Sequence, residues 1–121
     1  MTFNGMEMSA ITKLALFMAA ADGKIENTEV AYMAIEMNRF GITDADPIVK
    51  GAEAMDPAIA MAIVGKFDYE RKKYVAAYLG AMMAADGNIA DKELAVWKVT
   101  STLCGLPLMN IQEAISHIRN L

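Results

Sequence analysis

The chain contains one helix-loop-helix pattern twice, at positions 20–30 and 84–94. The first copy reads AADGKIENTEV and the second, 64 residues later, reads AADGNIADKEL. Six of the eleven positions are identical: the two alanines, the aspartate, the glycine, the isoleucine and the glutamate. An apolar stretch precedes each Asp-Gly pair, and glycine readily adopts the left-handed conformation that commonly ends a helix. We therefore predict two elbows, in each of which a helix ends at Asp-Gly, the isoleucine turns inward and a second helix begins near the glutamate.

The composition favours an all-α fold. At 121 residues the chain fits one domain, which should bury about two-thirds of the surface of its unfolded form. Apolar residues make up 55% of the chain, methionine occurs 11 times and proline three times, and no alternating strand pattern of convincing length is present. The net charge of −4 disfavours binding to nucleic acid and suits a cation or a basic partner better.

The predicted location is the cytoplasm. The single Cys104 cannot form an internal disulfide, and it reads as a small packed side chain suited to a reducing compartment. The first residues lack the basic region and cleavage site of a secretory signal. The longest apolar runs fall short of the roughly 20 residues that a membrane span needs.

Periodicity predicts a single compact bundle of about seven helices. The predicted helices cover residues 6–21, 27–40, two short segments within 42–67, then 68–85, 91–103 and 110–121. Residues 6–41 and 68–106 form the repeated halves, 42–67 the connector and 110–121 the C-terminal helix. We expect the apolar helices that precede the two elbows to pair about a pseudo-twofold axis, with Gly80 allowing close approach. The predicted core positions are Met8, Ile11, Ala15, Met18, Val30, Met33, Ala34, Met37, Leu94, Trp97, Val99, Ile111, Ala114, Ile115, Ile118 and Leu121.

Capping residues mark several helix starts. Asp56-Pro57 and Asp68 are typical N-terminal signals, and Asn110 to Glu113 has the form of a capping box. Thr43 or Asp44 is expected to cap the first connector helix.

The acidic residues of the elbows are the candidate metal site: Asp22, Glu29, Asp86 and Glu93. Their spacing matches the second half of a calcium-binding EF-hand loop. Met18 and Ala20 in the first copy, and Met82 and Ala84 in the second, stand where oxygen ligands would be needed, which excludes a regular EF-hand. A structural alternative stays open, in which the aspartates accept hydrogen bonds from loop amides and the glutamates cap their helices.

The doubled Ala-Asp-Gly-x-Ile-x-x-x-Glu motif, with Ala95-Val96-Trp97 and residues 102–107 (TLCGLP) downstream, resembles the TerB family of tellurite-resistance proteins. That family is also similar to a domain of some membrane-anchored DnaJ-like chaperones. The resemblance implies an all-helical domain with internal pseudo-symmetry, a metal-associated site at the motif acids, and non-enzymatic work in stress-response complexes. This chain departs from the family pattern at Glu26 and Ala90, where such elbows often have serine or another capping residue.

The expected function is therefore a TerB-like module in the bacterial response to tellurite or metal ions. It would bind a divalent metal ion or protein partners through the acidic elbows, with membrane association through those partners. No catalytic motif is present, so we predict no enzyme activity. A metal-dependent hydrolase and a metal-free protein-interaction domain remain the alternatives. His117 is expected near a helix end, and the basic cluster Lys66, Arg71, Lys72 and Lys73 to be a solvated helix start.

Overall fold

The fold is all-helical, as predicted. A computed structural model describes residues 1–85 and 87–121, and at position 22 it describes the backbone only. These residues form seven α-helices and no strand. The helices are α1 (Gly5–Ala19), α2 (Asn27–Arg39), α3 (Asp46–Ala54), α4 (Pro57–Gly65), α5 (Tyr69–Ala84), α6 (Asp91–Cys104) and α7 (Ile111–Arg119). In the part of the chain that is described, no helix is long and apolar enough to cross a membrane.

Helix α1 begins with a capping box and ends in a tighter turn. The Asn4 side chain accepts a hydrogen bond from the Glu7 N–H at 2.8 Å, and the Glu7 carboxylate accepts one from the Asn4 N–H at 2.8 Å. The predicted core positions of this helix are all buried. Its end continues into a 3-10 turn, Ala20–Asp22, which stops at Gly23 with φ of 90°. The predicted left-handed stop is thereby confirmed.

Helix α5 is the most deeply buried element, because all its residues from Tyr74 to Met83 are buried. At Gly80 the neighbours are α6 and α7. A Cβ atom added there would lie 2.7 Å from the Ala114 Cβ and 2.7 Å from Cζ2 of Trp97. The predicted close approach at Gly80 is thus correct, but α1, which also contacts α5, is not the helix that makes it.

The helices of the two halves make matched contacts. Helix α1 packs against α3 as α5 packs against α7, and α2 contacts α5 as α6 contacts α1. These reciprocal contacts are what a pseudo-twofold relation between the halves would produce. Helix α4 packs against α1 and α6 and completes the bundle. The proposed boundaries of the repeat halves stay a prediction.

The N-termini of the two connector helices can be compared with the predicted caps. Asp56 accepts a hydrogen bond from the Ala58 N–H at 2.8 Å, with Pro57 as the first residue of α4, as predicted. Helix α3 differs from the prediction, since Ala45 is its N-cap residue. The Asp44 carboxylate instead accepts a hydrogen bond from the Asp46 N–H at 3.1 Å.

The inward faces of α2 and α6 differ from the predicted ones. Val30, Ala34 and Val99 are exposed, whereas glutamates at positions 29, 36 and 93 are buried beside Met33, Met37 and Trp97. The prediction assumed that aliphatic residues take the inward positions. A helix turns by about 100° per residue, so with Glu29 and Met33 facing inward Ala34 lies on the solvent side and Val30 at the edge of the buried face.

The isoleucines of the elbows do not turn inward. Ile25 is 39% exposed and Ile89 is 40% exposed, so this part of the prediction is wrong. In each elbow the buried position belongs instead to the glutamate four residues further along the chain.

Candidate cation site at the elbows

The first elbow joins α1 to α2 through a short, defined loop. After Gly23 the chain reaches Glu26, the extended N-cap residue of α2. The Glu26 N–H donates a hydrogen bond to Oε1 of Glu29 at 2.9 Å. Glu29 stands at the third helical position, where a carboxylate also interacts favourably with the helix dipole. For this oxygen, the structural alternative of a capping glutamate is confirmed.

Capping does not account for the second oxygen of Glu29. The residue is only 3% exposed, and its Oε2 is buried with no hydrogen-bond partner among the described residues. Two described capping boxes, those closed by Glu7 and Glu113, lie at the surface, so capping does not require burial. A buried carboxylate oxygen without a partner is unfavourable, because it loses hydration without replacement.

The second elbow places its glutamate in the same way. Gly87 has φ of 78°, and α6 begins at Asp91 after the extended N-cap residue Ala90. Glu93 therefore occupies the third helical position, as Glu29 does in α2, and it is 4% exposed. The departures at Glu26 and Ala90 leave both helix starts in place.

The four predicted ligands are only partly described. Asp86 and the side chain of Asp22 lie outside the described residues, so the loop-amide role suggested for these aspartates stays a prediction. The structure describes Glu29 and Glu93 and buries both at equivalent positions. The 3-10 turn of the first elbow contacts α6, the helix that carries Glu93. Within the described part of the chain, no group of three or more histidine, cysteine, aspartate or glutamate side chains is arranged to hold a metal ion.

A buried polar network between α2 and α5 was not predicted. Glu36 is 1% exposed and accepts a hydrogen bond from the Tyr74 hydroxyl at 2.7 Å. Arg39 donates to the same carboxylate from Nε at 2.9 Å and from a terminal nitrogen at 3.3 Å. Burial and the Glu36 charge raise the pKa of Tyr74 far above its usual value. Glu36 is thus a fully partnered buried carboxylate that ties α2 to α5.

One sequence signal could have found this network. Glu36 follows Glu29 by seven residues, which places both on one face of a helix. Tyr74 lies in a stretch apolar enough to be buried on all sides, so its hydroxyl needs an internal acceptor. A buried acid on the facing helix is the natural candidate.

Further tyrosines extend the polar interface. The rings of Tyr32 and Tyr78 contact edge to face, with centroids 5.5 Å apart, and Tyr78 lies 5.9 Å from Tyr74. The hydroxyls of Tyr32 and Tyr78 are buried without a hydrogen-bond partner among the described residues. Burial, followed by nearby acidic groups, raises the pKa of both phenols.

The single cysteine and the single histidine lie outside the two elbow motifs in the sequence, and they differ in burial. Cys104 is buried, and burial raises the pKa of its thiol, while Lys72 opposes the rise. The small packed side chain predicted at Cys104 is confirmed. His117 is half-buried in the last turn of α7, and burial lowers the pKa of its imidazole.

An apolar groove adjoins the first elbow. It has a volume of about 390 Å³ and is lined by the apolar side chains of Leu16, Phe17 and Ile25, with Lys13 and Glu53 also among its lining residues. Phe17 is 45% exposed, which is high for an aromatic side chain. The elbow therefore presents apolar surface next to its buried carboxylate.

The fold and the elbows together define an all-helical domain whose two halves each begin their second helix with a buried glutamate. Neither a family model nor a curated protein matches the chain. A crystal structure of a protein of unknown function from Porphyromonas gingivalis is similar, with 48% identity and a TM-score of 0.89. The match covers 99% of this chain and 92% of that one. The chain therefore belongs to the same family as the P. gingivalis protein. Its assignment to the TerB family stays a prediction.

Proposed function

We propose that the chain is a non-enzymatic binding module that takes up a divalent cation at its elbows. The resemblance to TerB proteins supports a role for this module in the bacterial response to tellurite or metal ions, within a complex of protein partners. The cation would supply the positive charge that the elbow carboxylates lack, and it would fix the angle between the helices that meet there.

The buried Oε2 of Glu29 is the observation that supports this proposal most directly. It has no hydrogen-bond partner among the described residues, although the residue is almost fully buried. A hard divalent cation binds carboxylate oxygens and offsets the cost of burying them. Glu93, buried at the equivalent position, would be the matching ligand from the second half.

The described residues alone supply only part of a coordination shell. Calcium takes six to eight oxygen ligands, and magnesium takes six while keeping several waters. Asp22, Asp86 and water are the ligands that we propose to complete the shell. The contact between the first elbow's 3-10 turn and α6 supports a site shared by the two halves.

The test is a cation titration of the chelator-treated protein followed by thermal unfolding. Calcium, magnesium, manganese and zinc are added separately, and at least one of them should raise the melting temperature. At a hundredfold excess over the dissociation constant, binding adds about 2.7 kcal/mol of stability. For a domain of this size that corresponds to a rise of roughly 10 °C. Absence of a rise with all four cations would end the proposal.

Two glutamine variants separate capping from cation binding. Glu29→Gln keeps an oxygen for the Glu26 N–H but removes the buried charge, so it should abolish the cation effect. Without cation it should unfold at the same temperature as the original protein or higher, because a neutral amide is easier to bury than a carboxylate. Glu113→Gln, in the exposed capping box of α7, is the matched control and should retain the full cation effect.

Aspartate substitution tests the remaining ligands. Asp86→Ala should also abolish the rise in melting temperature. If Glu29→Gln and Asp86→Ala respond to cations as the original protein does, any cation binds elsewhere and the elbows are structural.

The apolar groove favours a second candidate function, a metal-free protein-interaction domain. We propose that the groove binds an amphipathic helix of a partner protein. The apolar face of that helix would cover Phe17 and Ile25, and charged residues beside this face would pair with Lys13 and Glu53. A library of amphipathic helical peptides provides the test. Binding should persist in a chelator and be lost in Phe17→Ser. Peptides that bind Phe17→Ser equally well, or no binding peptides at all, would contradict this function.

A further inference from the structure

A polar cavity lies between the first part of α5 and α7, apart from the residues of the elbows. Its volume is about 460 Å³, within the range of small-molecule sites. Lys73 contributes from α5, Asn110 from the start of α7, and Gln112, Ser116 and His117 from α7 itself. The lining thus combines an ammonium group, an imidazole and neutral polar groups.

Two basic side chains, Lys73 and His117, line this cavity together with one acid, Glu113. The pKa of His117 is lowered by burial first and by the neighbouring Lys73 second, while Glu70 opposes them. Glu113, the acid that lines the cavity, already accepts a hydrogen bond from the Asn110 N–H at 3.2 Å. Lys73 and a protonated His117 repel each other, and an anion between them would relieve that repulsion.

Two neighbouring contacts bear on the groups that line this cavity. In the basic cluster at the start of α5, Arg71 is paired with Asp68, whereas Lys73 lines the cavity. The Asn120 amide donates to the Ser116 Oγ at 3.4 Å, so Ser116 is the acceptor in that contact and its hydroxyl can still donate. The fold therefore brings Lys73, a member of the basic cluster that was predicted to be solvated, to the same cavity as His117, which is distant in the sequence.

We propose that this cavity binds a small organic anion of the phosphomonoester class, with Lys73 as its charge partner and His117, Gln112 and Ser116 as hydrogen-bond donors. A phosphoryl group carries up to two negative charges and three terminal oxygens, so it can accept from all four groups. A carboxylate has one charge and two oxygens and would leave part of the lining unused. The polar walls suit a hydroxylated ligand body.

The single histidine of the chain allows a direct test by proton NMR. The imidazole C–H signal of His117 is followed against pH without ligand and with inorganic phosphate, glycerol 3-phosphate or acetate at equal ionic strength. Phosphate and glycerol 3-phosphate should raise the pKa of His117, because an adjacent anion favours the protonated ring. Acetate should raise it much less. Equal effects of acetate and phosphate, or no effect of any anion, would overturn the proposal.

Substitutions at Lys73 show whether the two groups act together. Lys73→Met should raise the pKa of His117 in the absence of ligand and weaken phosphate binding about tenfold. Lys73→Arg keeps the charge and should retain binding, and Lys73→Gln replaces the Met variant if that protein does not fold. Lys50→Met, on the exposed face of α3, is the control and should behave as the original protein. Undiminished phosphate binding by Lys73→Met would overturn the assignment.

Discussion

Gly80 offers the sharpest test of the packing around α5. A methyl group at this position would lie 2.7 Å from the Ala114 Cβ and from Cζ2 of Trp97, well inside van der Waals contact. Neither neighbour can move easily. The Ala114 Cβ is fixed to the backbone of α7, and the Trp97 ring is held by a hydrogen bond from its Nε1 to the Ala76 carbonyl at 3.1 Å. We therefore expect Gly80→Ala to push α6 and α7 away from α5.

Two opposing effects determine the size of the loss. Overpacking of a well-packed core costs about 1–3 kcal/mol, and the two close contacts place Gly80→Ala toward the upper end. Alanine is about 1 kcal/mol more favourable than glycine in a helix interior, which offsets part of that cost. The free energy of unfolding should fall by about 1–2 kcal/mol, equivalent to roughly 4–8 °C in melting temperature.

Urea unfolding monitored by circular dichroism measures this change. Gly65→Ala is the matched control, because its added methyl would have ordinary contact at 3.9 Å with the Cys104 carbonyl oxygen. It should leave the free energy of unfolding unchanged or raise it by up to about 1 kcal/mol. Ala114→Gly should partly rescue Gly80→Ala, since it removes one of the two clashes. A Gly80→Ala protein as stable as the original would refute the described packing.

Four further predictions concern the buried tyrosines and the thiol. Tyr74→Phe should lower the free energy of unfolding by about 1–3 kcal/mol, because it removes the donor to buried Glu36. Tyr78→Phe removes a buried hydroxyl without a partner in the described residues, so urea unfolding should show no loss. Since burial raises the tyrosine pKa values, the unfolded chain ionises first. The contribution of these tyrosines to stability should therefore be fully present below pH 10.0, the ordinary tyrosine pKa, and be lost above it, as urea unfolding at several alkaline pH values would show. Cys104 should react with a thiol reagent only after unfolding, because its buried thiol has a raised pKa; rapid reaction of the folded protein would contradict this.

The sequence predicts the helices well because their signals are local. The Asp56-Pro57 start of α4 and the Asn110 to Glu113 box of α7 need only residues within one turn. The apolar stretch of α5 similarly implies burial, whichever helices surround it. These features could be predicted because they do not depend on tertiary contacts.

Other features were missed because tertiary contacts determine them. Val99 and Ile25 resemble core residues, but Trp97 and the glutamates occupy the inward positions of their segments. The partners of Glu36 depend on which faces of α2 and α5 pack together, and the periodicity of a single sequence does not determine this. The cavity beside His117 likewise depends on α7 packing next to Lys73 on α5. The candidate acids can therefore be identified from the sequence, but the residues that surround them cannot.

Helix α2 itself contains the comparison that makes Glu29 unusual. Glu36 lies about two turns further along the same face of the helix and is equally buried. Its carboxylate accepts hydrogen bonds from Arg39, which also supplies a positive charge, and from Tyr74. Arg39 and Tyr74 thus offset the cost of burying the Glu36 carboxylate. At Glu29 the capping N–H satisfies one oxygen, and no described residue donates to the other. A purely structural glutamate could cap from the surface, as Glu113 does, without the cost of burial. The buried, unpartnered Oε2 of Glu29 is thus the observation on which the proposed cation site depends, because divalent cations bind carboxylate oxygens.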